Sequence, residues 1–350
     1  MKSPSPRHPL RVGIVGAGAI AQVVHLPCYL RLPNVQVTAL CDLDPTKLRL
    51  LSAKYGIPRA FRDYEALLAS PEVDAVDVCL PNNLHHRVVL AALAAGKHVL
   101  CEKPLALRSD EVREILEAQA ASGRKVLVGM NNRFRHDSIL LKRFVEEGGL
   151  GDPFFIKTGW LKRRTRIHPS RWRYRKDVAG GGVFMDLGIQ VLDLALWLAD
   201  YPALDRLAAR FVHGTPDVDV EDSAFVFLQG GELTVTVEVS WSYPLDQDFN
   251  YLSVFGTRGS GHLSPLRLFE SAAGGGVRDR TPPYVRSARS LYLESYQREI
   301  AYFVEVVAGR EEPPPLDEQL RLVRLLEEIE VASGEMEMVR PEEEPARPGA

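Results

Sequence analysis

Lys103 ends the run Lys97-His98-Val99-Leu100-Cys101-Glu102-Lys103-Pro104. A short apolar run of this kind reads as a strand buried in a parallel sheet, and such sheets bind ligands at the carboxyl ends of their strands. An amine fixed there can hold a polar substrate atom or pass a proton, and Pro104 restricts its backbone. A single lysine at a strand end is ordinarily a surface residue, so the flanking sequence has to decide. Downstream, the helix opening at Gly180-Gly181-Gly182 is almost wholly apolar through Val183–Leu198 and is expected to be buried on most sides. Asp186, Gln190 and Asp193 recur along it at i, i+4 and i+7, in one stripe. A buried polar group without a partner costs about 1–3 kcal/mol, so the stripe predicts a polar cleft. For Asp193 alone, bonding to neighbouring loops is an equal expectation.

Upstream, Leu10-Arg11-Val12-Gly13-Ile14-Val15 reads as a strand running into Gly16-Ala17-Gly18-Ala19-Ile20-Ala21 and an apolar helix. In this Gly-x-Gly-x-x-Ala pattern, Gly16 permits the tight turn and Gly18 lets the backbone approach a pyrophosphate. Ala21 keeps helix and strand close, and amides at the helix start, around Ala19 and Ile20, face the phosphates. The pattern alone is weak, but here it has a strand before it and a helix after it. A second strand, Val35–Cys41, ends at Asp42, near the interval expected for the acid that binds a ribose 2′-hydroxyl. A carboxylate there repels a 2′-phosphate, which favours NAD over NADP. The competing role for Asp42, capping the helix that starts near Pro45, suits Asp44 better.

The alternation continues through the strand Ala75–Leu80, which closes in Pro81-Asn82-Asn83, and a helix from Leu84 to Ala95 stopped by Gly96. The strand carrying Lys103, a helix from Ser109 to Ser122 and the strand Lys125–Gly129 follow. Strands alternating with helices of this length predict an α/β fold with a doubly wound parallel sheet over residues 10–130. Residues 131–339 form a second, strand-rich region after a helix over Ile139–Glu147. Strands are expected at Phe154–Lys162, Leu204–Val212, Ser223–Leu228, Glu232–Trp241, Tyr251–Phe255 and His262–Ser264, and helices at Tyr292–Val307 and Leu316–Ser333. In Glu232–Trp241, Val235, Val237, Val239 and Trp241 alternate with Thr234, Thr236, Glu238 and Ser240, the mark of an antiparallel sheet with one face on its core. The other face, polar but β-branched, is either solvated or an oligomer contact. Residues 1–9 and the Pro- and Glu-rich stretch 340–350 are expected to be flexible.

The chain has 350 residues and a formal net charge of −3, enough length for two domains and no overall excess of positive charge for nucleic acid or anionic membrane. No apolar run approaching transmembrane length is expected, and a cytoplasmic location follows. Cys28, Cys41, Cys79 and Cys101 form no CxxC pair and read as reduced core residues, with no metal site. Between Lys162 and Lys176, eight of 15 residues are Lys or Arg, interleaved with His168, Trp172 and Tyr174. This segment reads either as an anionic-substrate clamp or lid, or as a solvated or subunit-bridging loop.

Taken together, the glycine loop, Pro81-Asn82-Asn83-Leu84-His85, Gly96 to Pro104, Asn131-Asn132-Arg133-Phe134 and Gly180-Gly181-Gly182…Asp186-Leu187-Gly188 closely resemble the glucose–fructose oxidoreductase / inositol dehydrogenase / MocA (Gfo/Idh/MocA) family. The resemblance runs from about residue 10 to 339. It implies an N-terminal Rossmann domain and a C-terminal α/β domain on a large open, mainly antiparallel sheet used for homodimer or homotetramer contacts. It also implies NAD(P)-dependent oxidation or reduction of a small sugar-like alcohol or carbonyl compound. The family's lysine, aspartate and following histidine fall on Lys103, Asp186 and Gln190. Histidine can relay a proton near neutrality and an amide cannot. Lys103 is therefore the expected acid/base, with Asp186, His168 or Tyr174 as helpers and Gln190 orienting a hydroxyl. Asn82, His85 and Glu102 are expected to shape the cofactor side of the pocket. The alternative is a non-catalytic, dinucleotide-binding regulatory protein of the same fold.

Overall fold

The computed structural model describes residues 9–164, 171–216, 218–283 and 288–335. The expectations for His168, for residues 1–8 and for the tail 340–350 lie outside the described residues.

Six short strands form the first sheet: β1 (Leu10–Val15), β2 (Val35–Cys41), β3 (Arg59–Phe61), β4 (Ala75–Val78), β5 (His98–Glu102) and β6 (Val126–Gly129). All pair in parallel, in the order β3-β2-β1-β4-β5-β6. The strand order reverses between β1 and β4, and the crevice outside their carboxyl ends is where such sheets bind ligands. Strands β4 and β6 are buried along their whole length, as expected of apolar strands covered on both faces. The three-residue β3 and the short helix Tyr64–Leu68 are additions to the sequence reading.

The second sheet has eight strands: β7 (Pro153–Arg163), β8 (Arg206–Val212), β9 (Ser223–Gly230), β10 (Leu233–Tyr243), β11 (Phe249–Gly256), β12 (Gly259–Leu263), β13 (Arg267–Ser271) and β14 (Val277–Asp279). Their order is β14-β13-β12-β11-β7-β10-β9-β8, antiparallel except for the central β7–β10 pair. Val235, Val237, Val239 and Trp241 of β10 face the core as their alternation requires. Ser240, assigned by the same alternation to the open face, is buried instead, its hydroxyl 2.8 Å from that of Ser223. The open face also differs from expectation on the neighbouring strands. Phe225, Phe227 and Phe249 stand exposed there, while Phe155 stacks on Phe255 and Phe249 packs on Tyr251.

The apolar helix after the three glycines covers the core face. It begins as a wide π-type turn, Phe184–Gly188, and continues as Ile189–Leu198. Lys176–Leu198 is apolar and long enough to cross a membrane by composition, contrary to the expectation of no such stretch, but 78% of its apolar window is packed inside the protein. Asp193 parts from the stripe. It is buried and accepts from Arg133 Nε (2.8 Å), Arg133 Nη2 (2.6 Å) and the Tyr201 hydroxyl. Arg133 also pairs with Glu318, so Asp193 ties three segments together and takes no part in the cleft.

Arg133→Met leaves Asp193 buried beside no cation. Breaking a buried pair by removing one partner costs about 3–5 kcal/mol, and chemical denaturation should register a loss of that size.

Candidate active site

Lys103 and Asp186 meet at the junction of the two lobes. Lys103 Nζ donates to the Asp186 backbone carbonyl at 2.8 Å and to Oδ1 at 3.1 Å. Both side chains are largely shielded, at 15% and 21% exposure. Burial alone would raise the Asp186 carboxyl, but Lys103, then Arg173 and Lys162, outweigh it and hold the group below its usual range. An ammonium has three donors, and two are taken, so one remains for a substrate oxygen.

The two residues belong to a cleft of about 300 Å³, lined on the first lobe by Ile20, Leu80, Asn82 and Glu102 and on the second by Trp160, Lys162, Trp172, Arg173 and Gln190, among others. A larger cavity of about 690 Å³ lies at the opposite edge, beside β1, β2 and Val304 to Arg310. Its charged residues Arg11 and Arg310 are already committed to Asp74 and Glu305. The smaller cleft is where unspent polar groups converge, and convergence rather than size marks a site.

The first lobe forms a cradle for a dinucleotide. Gly16 has φ +100°, and a Cβ there would sit 2.3 Å from the Cys79 carbonyl oxygen; a side chain could not be accommodated. At Gly18 the nearest atom to a Cβ would be 4.0 Å away, leaving open space over the backbone where the phosphates are expected. Ala21 is fully buried and sets the helix close to the sheet, while Ala19 is exposed and Ile20 reaches the cleft. Asp42 closes β2 with its carboxylate accepting from the Ala17 amide (2.9 Å) and the Asp44 amide (2.9 Å), and Lys47 Nζ stands 3.6 Å away. Each of its oxygens keeps acceptor capacity for a ribose hydroxyl. Asp44 caps the next helix, accepting from Thr46 and Lys47 amides. The residues present therefore fit NAD.

Several of the residues expected at the pocket have other work. His85 is buried, its ring nitrogens facing the carbonyl oxygens of Pro104 (2.6 Å) and Leu80 (2.9 Å). It therefore clips the ends of β4 and β5 together and does not line the cleft, correcting the expectation. Asn82 lines the cleft, but its amide donates to the Ala179 carbonyl at 2.8 Å, joining the lobes just before Gly180. Pro81 precedes the 3₁₀ turn Asn82–Leu84 and is not among the lining residues; Leu80 is. Gln190 lines the cleft with its amide nitrogen donating to the Asp186 carbonyl at 2.9 Å. Tyr174 packs edge-on against Trp241, 5.2 Å between ring centroids, and stays out of the cleft.

Sequence reasoning passed over two supports. Behind Glu102 lies His25, wholly buried, with Nε2 2.9 Å from Glu102 Oε1 and Nδ1 2.7 Å from Asp77 Oδ2. Burial opposes charge on His25, but Asp77 with its neighbours prevails and raises its pKa well above the usual value. Glu102 is correspondingly held low against its own burial by the bond to His25. Cys79 completes a trio with His25 and Asp77 whose potential ligand atoms lie within 4.8 Å. Burial pushes its thiol up to about 12, and both ring nitrogens of His25 are taken by carboxylates. The second support is Glu221, whose carboxylate accepts from the Gly182 and Phe184 amides at 2.9 Å each. A Cβ on Gly182 would meet the Glu221 carbonyl oxygen at 2.0 Å, so the third glycine is needed for this approach.

The sequence pattern of the NAD-binding Rossmann domain of the Gfo/Idh/MocA oxidoreductases matches residues 10–130, and that of the family's C-terminal domain matches residues 139–262. The chain belongs to this family. It is 32% identical over 240 residues to the D-glucoside 3-dehydrogenase of Escherichia coli, covering 69% of this chain and 67% of that one. It is 28% identical over 327 residues to the myo-inositol 2-dehydrogenase of Thermotoga maritima, covering 91% and 94%. Among solved structures it is similar to the aldose-aldose oxidoreductase of Caulobacter crescentus complexed with glycerol, with TM-score 0.80 and 26% identity over 94% of this chain and 98% of that one.

A carboxyl held low in the folded state stabilises the protein above the unfolded pKa, about 3.9, and this contribution is lost as pH falls through the folded value. Lys103→Met removes the strongest cation acting on Asp186, so the acid-side loss of stability should begin at a higher pH than in the parent. Thermal melts between pH 3 and 6 measure the shift.

Proposed function

We propose that this Gfo/Idh/MocA oxidoreductase transfers a hydride between NAD and the carbinol carbon of a sugar, polyol or related alcohol/carbonyl pair. The observation that carries the reading is the contact of Lys103 with Asp186 inside a cleft shared by the cofactor lobe and the second lobe. Bound NAD would lie along Gly16, Gly18, Ala19, Ile20 and Asp42 and supply the hydride acceptor or donor. In the reductive direction Lys103 Nζ gives its remaining proton to the carbonyl oxygen; in the oxidative direction it takes the hydroxyl proton. Asp186 fixes the amine in place through two acceptors, and Gln190 holds the same carbonyl from the other side. Trp160 and Trp172 offer flat apolar faces to a sugar ring, the usual complement of polar groups in a ligand cleft.

Four free, buried cysteines suit a reducing compartment such as the cytoplasm. The exposed aromatic side chains on the open sheet face suit a second copy of the chain, which would cover them in a homodimer or homotetramer.

Lys103→Met should keep NAD affinity, read by fluorescence titration, while turnover on a responsive polyol falls by about 10² or more. Unchanged turnover would remove Lys103 from the mechanism. Tight NAD binding with no hydride transfer by the parent across sugars and polyols would favour the regulatory alternative. For the assembly, sedimentation of the double variant Phe225→Lys with Phe227→Lys should show single chains where the parent sediments as an oligomer.

A further inference from the structure

Charge in the cleft does not balance. Five ionisable side chains of opposite sign line it: Lys103, Lys162 and Arg173 against Glu102 and Asp186. Each carboxylate already has a cation, Lys103 for Asp186 and, for Glu102, the buried His25 that it shares with Asp77. Lys162 and Arg173 are left over, with no side-chain hydrogen bond or ion pair to either among the described residues. The other described basic residues of the segment behave differently. Arg164 donates to the Ser242 carbonyl (2.9 Å), Arg175 pairs with Asp177 (2.7 Å) and Lys176 with Glu330 (2.7 Å). Arg163 and Arg171 are exposed and absent from the cleft lining.

The two spare cations are also placed. Trp160 and Lys162 are two residues apart on β7, so both project from the core-side face of the strand. The Arg173 guanidinium lies 5.3 Å from the centroid of the Trp172 ring, a cation–π contact that holds it over an aromatic wall of the cleft. Each cation thus stands beside a tryptophan that a sugar ring would stack on. A guanidinium binds carboxylate or phosphate through two parallel bonds, and an ammonium adds a point charge.

We propose that the substrate is an anionic sugar or polyol, bearing a carboxylate or phosphate that Lys162 and Arg173 bind at the second-lobe wall of the cleft. This rests on the dehydrogenase reading for its chemistry but not for its binding. The phosphates of a bound dinucleotide would meet the helix-start amides at Gly18 to Ile20 on the first lobe, so they do not account for cations on the second. Both residues also lie near enough to Asp186 to help hold its carboxyl down.

The test is a matched panel of glucose, galactose and mannose, their uronates and their 6-phosphates, offered to the full chain loaded with NAD. Binding is read by calorimetry and hydride transfer by NADH absorbance. An acid should bind about tenfold to hundredfold more tightly than its neutral parent, as expected of a hydrogen bond to a charged group. Whether uronate or phosphate shows the gain identifies the anion. The double variant Lys162→Met with Arg173→Met should abolish the preference, and Arg173→Lys, which keeps the charge, should retain part of it. Equal binding of acids and neutral sugars, no binding of any acid, or a preference that survives the double variant would overturn the proposal. So would a double variant that weakens NAD binding instead, since the cations would then serve the cofactor. Acids that bind through both cations without any hydride transfer would leave the clamp standing and reject the dehydrogenase reading.

Discussion

The bond between Lys103 and Asp186 is the constraint on which the site depends, because its two ends come from different sheets. Lys103 follows β5 of the parallel sheet, and Asp186 sits in the first turn of the helix that covers the mixed sheet. Neither group would be stable alone in so shielded a place, since an uncompensated charge removed from water costs several kcal/mol. Together they satisfy each other and fix the spacing of the lobes. Asn82 to Ala179 adds a second link within the same junction. The cleft is therefore a consequence of how the lobes are joined, and the amine proposed to react there is also one of the joints.

That arrangement rests on close backbone approaches which only glycine permits. Gly16 lets the first loop come against Cys79, and Gly182 lets the helix start come against Glu221. Glu221 then accepts amides that a helix start leaves without partners. On the other lobe, His25 sits between Asp77 and Glu102 and keeps Glu102 ionised at the edge of the cleft. The sheet order places β4 and β5 side by side, so the two carboxylates reach the same imidazole although they are distant in sequence.

How much of this could be read from the chain follows from the range over which each signal acts. The glycine loop, the strand ending at Lys103 and the alternation of β10 depend on local spacing, and they were legible. Asp186 was legible because a carboxylate one turn after three glycines in an apolar helix is conspicuous. Asp193 has the same spacing signal, but its partner Arg133 lies 60 residues away, so spacing could not separate a cleft residue from a structural one. His25 carried no local signal: a histidine in an apolar helix is usual in cores, and its partners are 52 and 77 residues distant. His85 misled for the converse reason. Its place in the family-like stretch Pro81 to His85 suggested the cleft, while its bonds to Leu80 and Pro104 turn it inward. The aromatic open face was not legible because β10 shows threonine and glutamate there; the phenylalanines come from β7, β9 and β11.

Gln190 alters how protons can leave the site. The wide turn Phe184–Gly188 leaves the Asp186 carbonyl accepting from two side chains, Lys103 and Gln190. A histidine in place of Gln190 could exchange a proton near neutrality; the amide only donates a fixed hydrogen. The Asp186 carboxylate touches Lys103 directly, but it is held below its ordinary range and is a weak base at neutral pH. Glu102 is held low as well by His25. With both of these carboxylates poor acceptors, the role proposed for Lys103 would call for proton exchange with water entering the mouth of the cleft. The cleft is open enough to admit it, since Lys103 and Asp186 both keep part of their surface exposed. Asp186, kept ionised, holds the Lys103 amine in place without competing for the proton that the proposed reaction would move.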